Sequence, residues 1–349
     1  MSRPDAPIEF EVRYDLRNPD RFGHPWNEHY AHFLDQAAWA DEHGFDVLQL
    51  NEHHFSPDGY LPSSVTVAAA VAARTSRIRI RLAVVILPLK HPVQLAEDLA
   101  VLDVLSNGRL EVLVGSGYRA EEYAAYGIPM RRRGARMEEA MTLLRRCWTE
   151  DGFDFDGEFW SLRDVNIQPK PVQHPHPPLV IGGSSIAAAH RAARLADGFA
   201  PTNFVLLDEW RAEMTRLGKD WQAAMRYSMR TSIGGSTFTH VSRDPQASWP
   251  LIREQLLYVV NNYAGWTSQR SGPAHVSGQT PEDLLATPAY ALLSTDDAID
   301  RGQTLLAEGN RVRMSLQPMI GGIPWDEGDR CLNAVVEEVM PALRPAGGH

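Results

Sequence analysis

Strand-sized apolar segments alternate with helix-sized amphipathic ones along most of this chain, and that alternation restricts its fold more than any other feature. Strand candidates fall at 10–14, 47–50, 78–87, 110–114, 179–181, 198–202, 227–233 and 311–317. Helical stretches follow them, the clearest at 27–43, 62–74, 93–105, 135–148 and 186–195. Strand–helix repetition builds a parallel sheet through right-handed crossovers, and eight such units are what a closed barrel needs. The predicted fold is α/β, a (β/α)8 TIM barrel with insertions. Ala83 to Leu87 is wholly apolar, as suits a parallel strand covered on both faces. The first strand is interrupted by Glu11, Arg13 and Asp15, which are expected to put charges into the pocket.

Two stretches depart from the rhythm. Residues 151–178 read as an insertion, with a hairpin around Asp156-Gly157 and then a Pro-rich loop. Residues 261–288, rich in Gly, Ser, Gln and Pro, read as a mobile lid carrying Tyr263 and Trp266. The whole of 1–349 is expected to be one barrel domain.

The chain has 34 basic and 44 acidic residues, a net charge of −10, and no long basic run. That argues against a nucleic-acid backbone as partner. Cys147 and Cys331 are its only cysteines, which suggests a reducing compartment rather than a disulfide framework. No apolar run reaches the roughly 20 residues a membrane span needs, and Met1 to Phe10 lacks a signal-peptide core. A soluble, cytoplasmic protein with no membrane partner is expected.

The chemistry concentrates at Gly44 to Phe55, GFDVLQLNEHHF. A buried strand ending in a carboxylate and two imidazoles matches the catalytic face of a barrel. Successive strand residues face opposite sides, so if the strand persists to its tip, His53 and His54 should not share one pocket. One catalytic imidazole beside a structural neighbour is favoured over a metal pair, and no metal site is expected. The alternative is a capping cluster around Glu52 that satisfies loop backbone.

Gly115-Ser116-Gly117 and Gly182-Gly183-Ser184-Ser185 each end a strand. Glycines allow close ligand approach, and a helix start attracts anions; a tight turn explains each loop equally well. Arg131 to Arg133 and Arg136 form a basic cluster, either a solvated face or a source of one phosphate-binding arginine. His174-Pro175-His176 reads as surface loop.

Together these residues resemble the bacterial luciferase-like flavin monooxygenases. The likeness rests on EHHF at 52–55, ILPLKHPVQLAEDLAVLDVLSNGRL at 86–110, GSGYRAEEYAAYGIP at 115–129 and PHPPLVIGGSS at 175–185. It implies that His53 is the catalytic imidazole, assisting a flavin hydroperoxide, and that Glu52 positions the flavin edge. It also implies a non-proline cis peptide at Ala83-Val84 behind the flavin ring. Gly183, Ser184 and Ser185 match the phosphate loop; Gly115, Ser116, Gly117 and Tyr118 line the same end. The chain departs from luciferase in having Gly115-Ser116-Gly117 where that enzyme has Cys-Arg-Gly, so either a helix terminus with hydroxyls binds the phosphate without that arginine or Arg136 replaces it. Gly183 also stands where luciferase has a glutamate.

The resemblance implies a two-component monooxygenase that uses reduced FMN and oxygen on a small organic substrate. A separate NAD(P)H:flavin reductase would supply the flavin, since no dinucleotide fingerprint is present. The alternatives are deazaflavin-dependent hydride transfer and a non-catalytic flavin-binding barrel. A homodimer through helices 62–74 and 93–105 is also implied.

Overall fold

In the computed structural model, which describes residues 6–228, 230–267 and 280–344, seven of the eight expected strands form and the eighth is reduced to two residues. The chain runs β1 (Ile8–Tyr14), α1 (Trp26–Glu42), β2 (Val47–Leu50), α2 (Ser64–Arg74), β3 (Arg79–Ile86), α3 (Pro92–Ser106) and β4 (Leu110–Gly115). Next come α4 (Ala120–Ala125), α5 (Arg133–Thr149), β5 (Phe153–Asp156), β6 (Ser161–Val165), β7 (Leu179–Gly183), α6 (Ile186–Leu195), β8 (Gly198–Pro201), α7 (Phe204–Arg216) and α8 (Trp221–Ala224). The remainder is β9 (Thr231–Ser232), β10 (Phe238–Ser242), α9 (Pro245–Thr267), α10 (Pro281–Leu285), β11 (Tyr290–Ser294), α11 (Thr295–Ala307), β12 (Val312–Leu316) and α12 (Trp325–Ala334). The fold class is α/β, of the (β/α)8 TIM-barrel type.

Among the described residues one compact unit comprises 50–54 and 62–228, the other 6–49, 55–61, 230–267 and 280–344. In the first, strands lie in the order β8-β7-β4-β3, all parallel. Ile86 pairs with Gly115, Val114 with Ile181 and Gly183 with Pro201, so the carboxyl ends of these strands share one edge. That edge carries the site. Helix α3 stops where Asn107 turns left-handed (φ 53°) and the Gly108 amide donates to Asp103 O at 2.9 Å, a glycine-type helix end.

The second unit carries the order β2-β1-β12-β9. Along β1, Ile8, Phe10, Val12 and Tyr14 are buried, and so are the alternate Glu9 and Glu11. The strand's charges therefore mark a covered second face rather than a solvated one. Glu11 accepts from Ser315 Oγ at 2.6 Å and lies 3.6 Å from Arg313, which compensates the cost of burying it.

Three local outcomes differ from the sequence reading. Only Thr231 and Ser232 of the 227–233 candidate are strand, because Met225–Tyr227 forms a helical turn packed against Gly198. The hairpin turn spans four residues, 157–160, not two. The Glu139 carboxylate accepts from the Glu158, Phe159 and Trp160 amides at 2.8, 3.0 and 2.9 Å and holds that wider loop. β10 and β11, a parallel pair, were not foreseen. Of the expected lid, 261–267 continues α9 and 281–285 is α10, capped by Thr280 and Asp283. Residues 268–279 lie outside the described residues.

Candidate active site

Past β2 the chain releases Glu52, His53 and His54, all buried at 4%, 7% and 3% exposure. The two imidazoles part company, each to its own carboxylate. His53 Nδ1 lies 2.8 Å from Glu122 Oε1, and His54 Nε2 lies 3.2 Å from Glu52 Oε1. β2 ends at Leu50, so the path of the loop rather than a strand period parts the two rings; the identity of Glu122 comes only from the tertiary fold.

Glu122 sits in the first turn of α4. Its Oε1 also accepts the His54 backbone amide at 2.9 Å and faces Arg119 Nη1 at 3.3 Å. Burial alone would raise this carboxyl; the His53 hydrogen bond and charge, the His54 amide and Arg119 hold it below the ordinary value. An ionised Glu122 can only accept, so His53 Nδ1 carries the hydrogen and Nε2 is the basic nitrogen. The Tyr118 hydroxyl stands 3.1 Å from that Nε2 and is placed to donate to it.

The second branch is denser. Glu52 accepts from Ser64 Oγ at 2.7 Å and the Ile86 amide at 3.4 Å, and pairs with Lys90 at 3.2 Å. Burial pushes Glu52 up, but His54, Lys90 and Ser64 together bring it below the ordinary carboxylate range. With Nε2 of His54 donating to Glu52, its Nδ1 takes the Tyr126 hydroxyl at 3.1 Å. His53 thus has one carboxylate and one hydroxyl at its ring, whereas His54 is tied into a scaffold.

Ala83 and Val84 lie at the same strand edge, joined by a cis peptide, and both are partly exposed. The β3–β4 register shifts between Ala83 and Val85. Two glycines accommodate Val84: a Cβ on Gly115 would stand 2.6 Å from Val84 Cγ1, and one on Gly182 would stand 3.3 Å from Cγ2. Gly117 has φ +63°, and a Cβ there would meet Ile86 Cγ2 at 2.7 Å. Tyr123 Oη donates to Ser116 O at 2.6 Å and pins the loop.

Gly183 ends β7 and Ser184 and Ser185 are exposed at the start of α6. Ser185 is the N-cap, accepting from the Ala188 amide at 3.2 Å. Arg136 donates from Nε to Pro88 O at 3.0 Å and lies over the Trp160 ring at 4.2 Å. Its neighbour Arg132 pairs with Glu158 of the hairpin. Glu122, Arg119, Tyr126, Ser64 and Lys90 were not singled out from sequence, although four of the five fall inside the quoted stretches at 86–110 and 115–129.

The description "luciferase-like monooxygenase" fits residues 12–314, most of the chain. This chain belongs to the luciferase-like monooxygenase family. Among its relatives, the oxygenase component of a flavin-dependent trigonelline monooxygenase from Acinetobacter baylyi is 29% identical over 333 residues, 90% of each chain. An F420-dependent glucose-6-phosphate dehydrogenase from Amycolatopsis mediterranei is 33% identical, over 90% of this chain and 95% of that one. Other curated relatives, at 34% and 32% identity, are matched over about half their length, 51% and 46%. The crystal structure of monooxygenase RslO1 from Streptomyces bottropensis superposes with a TM-score of 0.81 at 24% identity, covering 96% of this chain and all of that one, which shows the shared fold.

Proposed function

We propose that this luciferase-like chain is the oxygenase component of a two-component monooxygenase that takes reduced FMN from a separate NAD(P)H:flavin reductase. The observation that carries the reading is the Glu122–His53–Tyr118 array, a buried imidazole with its proton-bearing nitrogen assigned and its other nitrogen facing a hydroxyl. The strand edge also fits a flavin. Two glycines make room around Val84, and the exposed first turn of α6 offers backbone N–H groups to a phosphate.

Ser184, Ser185 and that first turn would hold the phosphate, with Gly183 in the same loop; Ala83, Val84 and Gly115 to Gly117 would line the ring. Bound reduced FMN supplies the electrons with which molecular oxygen is activated. His53 Nε2 would hold or deliver a proton to the reacting group, and Glu122 would fix its tautomer and steady the imidazolium. Glu52 acts through His54 and Lys90 to set the loop's shape. The A. baylyi relative, an oxygenase component, supports the two-component arrangement.

The second reading, deazaflavin-dependent hydride transfer, is favoured by the 33% identity to the F420-dependent dehydrogenase. Anaerobic titration with oxidised FMN, reduced FMN and reduced F420 separates the two. The expected order is reduced FMN tightest, with oxygen uptake on aeration in the presence of substrate. Tight binding of F420 with no measurable affinity for reduced FMN would overturn the proposal.

A further inference from the structure

Strand β1 sorts its residues by face. Tyr14 turns toward α1, where its ring meets Phe33 edge-on at 4.7 Å and its hydroxyl donates to Gln36 at 3.1 Å. Glu11, Arg13 and Asp15 share the opposite face, which in a barrel is the interior. Arg13 stands near the carboxyl end of the strand, where barrels of this type open to ligands.

The acidic neighbours on that face are engaged elsewhere. Glu11 accepts from Ser315 Oγ at 2.6 Å and pairs with Arg313 at 3.6 Å. Asp15 accepts the Arg17 backbone amide at 3.1 Å and pairs with the Arg17 guanidinium at 3.3 Å. Among the described residues no carboxylate lies within ion-pair distance of Arg13. Glu11 thus stands against two guanidiniums, those of Arg13 and Arg313. Burial lowers the Arg13 pKa, with Glu11 opposing the fall and Arg313 adding to it. The guanidinium still keeps its charge at neutral pH.

Arg13 is held in place but not used up. Its Nη2 donates to Thr237 O, and Gln317 Nε2 donates to the same carbonyl at 2.5 Å. Val12 pairs with Leu316, so Arg13 and Gln317 come next toward the carboxyl ends of the parallel neighbours β1 and β12. A neutral carbonyl therefore fixes the guanidinium without cancelling its charge. Arg13 is partly exposed: its Nε is buried without a partner, whereas Nη1 keeps accessible surface and has no hydrogen-bond partner among the described residues. Charge, a spare donor and access meet in one group.

We propose that the carboxyl ends of β1 and β12 form a binding site for an organic carboxylate, with Arg13 as its recognition residue. One carboxylate oxygen would accept from Nη1, and the second N–H of Nη2 would serve the other oxygen in the planar geometry that suits this pair. A single uncompensated positive charge selects a monoanion. A phosphate dianion would exceed it, and an amide of the same shape would leave the guanidinium unpaired. The site goes beyond the monooxygenase reading and stands whichever flavin the chain uses.

Butyrate with butyramide and benzoate with benzamide give two acid–amide pairs that differ in charge and little in shape. Calorimetric titration of the full chain with these and with inorganic phosphate tests the site. An acid is expected to bind saturably at one site per chain, at least about tenfold more tightly than its amide or phosphate. Arg13→Met should weaken that acid by about tenfold or more and leave the amide within about twofold. No preference for the acid in either pair, phosphate bound as tightly as the acid, or a preference undiminished in Arg13→Met would overturn the proposal. Should Arg13→Met not fold, Arg13→Gln carries the same expectations, and the wild-type comparison of acid with amide decides by itself.

Discussion

Glu122 Oε1 accepts both the His53 ring, from Nδ1 at 2.8 Å, and the His54 backbone amide at 2.9 Å. One carboxylate oxygen thereby fixes the tautomer of His53 and the path of the chain that carries it. Replacing Glu122 by Gln removes the charge and lets the amide present either a donor or an acceptor to Nδ1. Turnover with reduced FMN is expected to fall roughly 10- to 100-fold, with a shifted pH–rate profile and little change in flavin affinity. His53→Ala should abolish substrate oxidation while flavin binding largely survives. An unaltered pH profile in Glu122→Gln would remove that residue from the proton bookkeeping.

Ser185 caps α6 through the Ala188 amide. Ser185→Ala is expected to cost about 1 kcal/mol of stability. If this loop holds the cofactor phosphate, the variant should weaken FMN more than riboflavin. Comparing the two dissociation constants checks this; equal losses would place the phosphate elsewhere.

Gly115→Ala would set a methyl 2.6 Å from Val84 Cγ1. Overpacking of that kind costs about 1–3 kcal/mol, and relief by moving Val84 would disturb the proposed ring site. Thermal melting and flavin titration should both register the change. A variant that matches wild type in both would show that the strand edge yields freely.

Arg17 is fully buried in the second unit, between Asp15 at 3.3 Å and Asp58 at 3.2 Å. The rings of Tyr60, Tyr263 and Trp266 stand 4.6, 4.7 and 4.8 Å from its guanidinium carbon. Arg17→Met leaves two buried carboxylates facing each other and is expected to cost roughly 3–5 kcal/mol. Arg17→Lys should recover only part of this, because an ammonium lacks the planar fork that stacks among three rings. Urea unfolding measures both.

His240 is buried 2.9 Å from Glu327, and its pKa is raised to about 9: burial opposes the charged ring, but Cys331 and Glu327 outweigh it. A raised histidine stabilises fully below its unfolded pKa near 6.5 and loses that contribution as pH climbs through about 9. Stability should therefore decline between pH 6.5 and 9 by up to about 3 kcal/mol. Glu327, brought down to about 2 by His240, Ser248 and Arg330 against the effect of burial, works oppositely, losing its contribution as pH falls from about 4.5 toward 2. Glu327→Gln should flatten the alkaline decline; urea midpoints at pH 6 and 9.5 test it.

The amino-acid sequence by itself determined most of the order of strands and helices, β10 and β11 excepted, because apolar periodicity and the Gly and Asn stops are local. The Ser106-Asn107-Gly108 stop fixed the end of α3 to within one residue. The same locality placed Glu52, His53, the two glycine loops and Ser185 at strand ends. It could not supply their partners. Glu122 lies 69 residues beyond His53, and nothing in its neighbours distinguishes it from Glu121, so only the tertiary fold selects which of the two turns inward. Arg136 is similar: packing of the 153–165 hairpin gives its guanidinium the Trp160 ring and its Nε the Pro88 carbonyl, contacts that no local pattern announces. β10 and β11 likewise pair only because residues more than 45 apart in sequence meet. Side-chain type and spacing are written locally; which charges face each other depends on the long-range packing that brings them together.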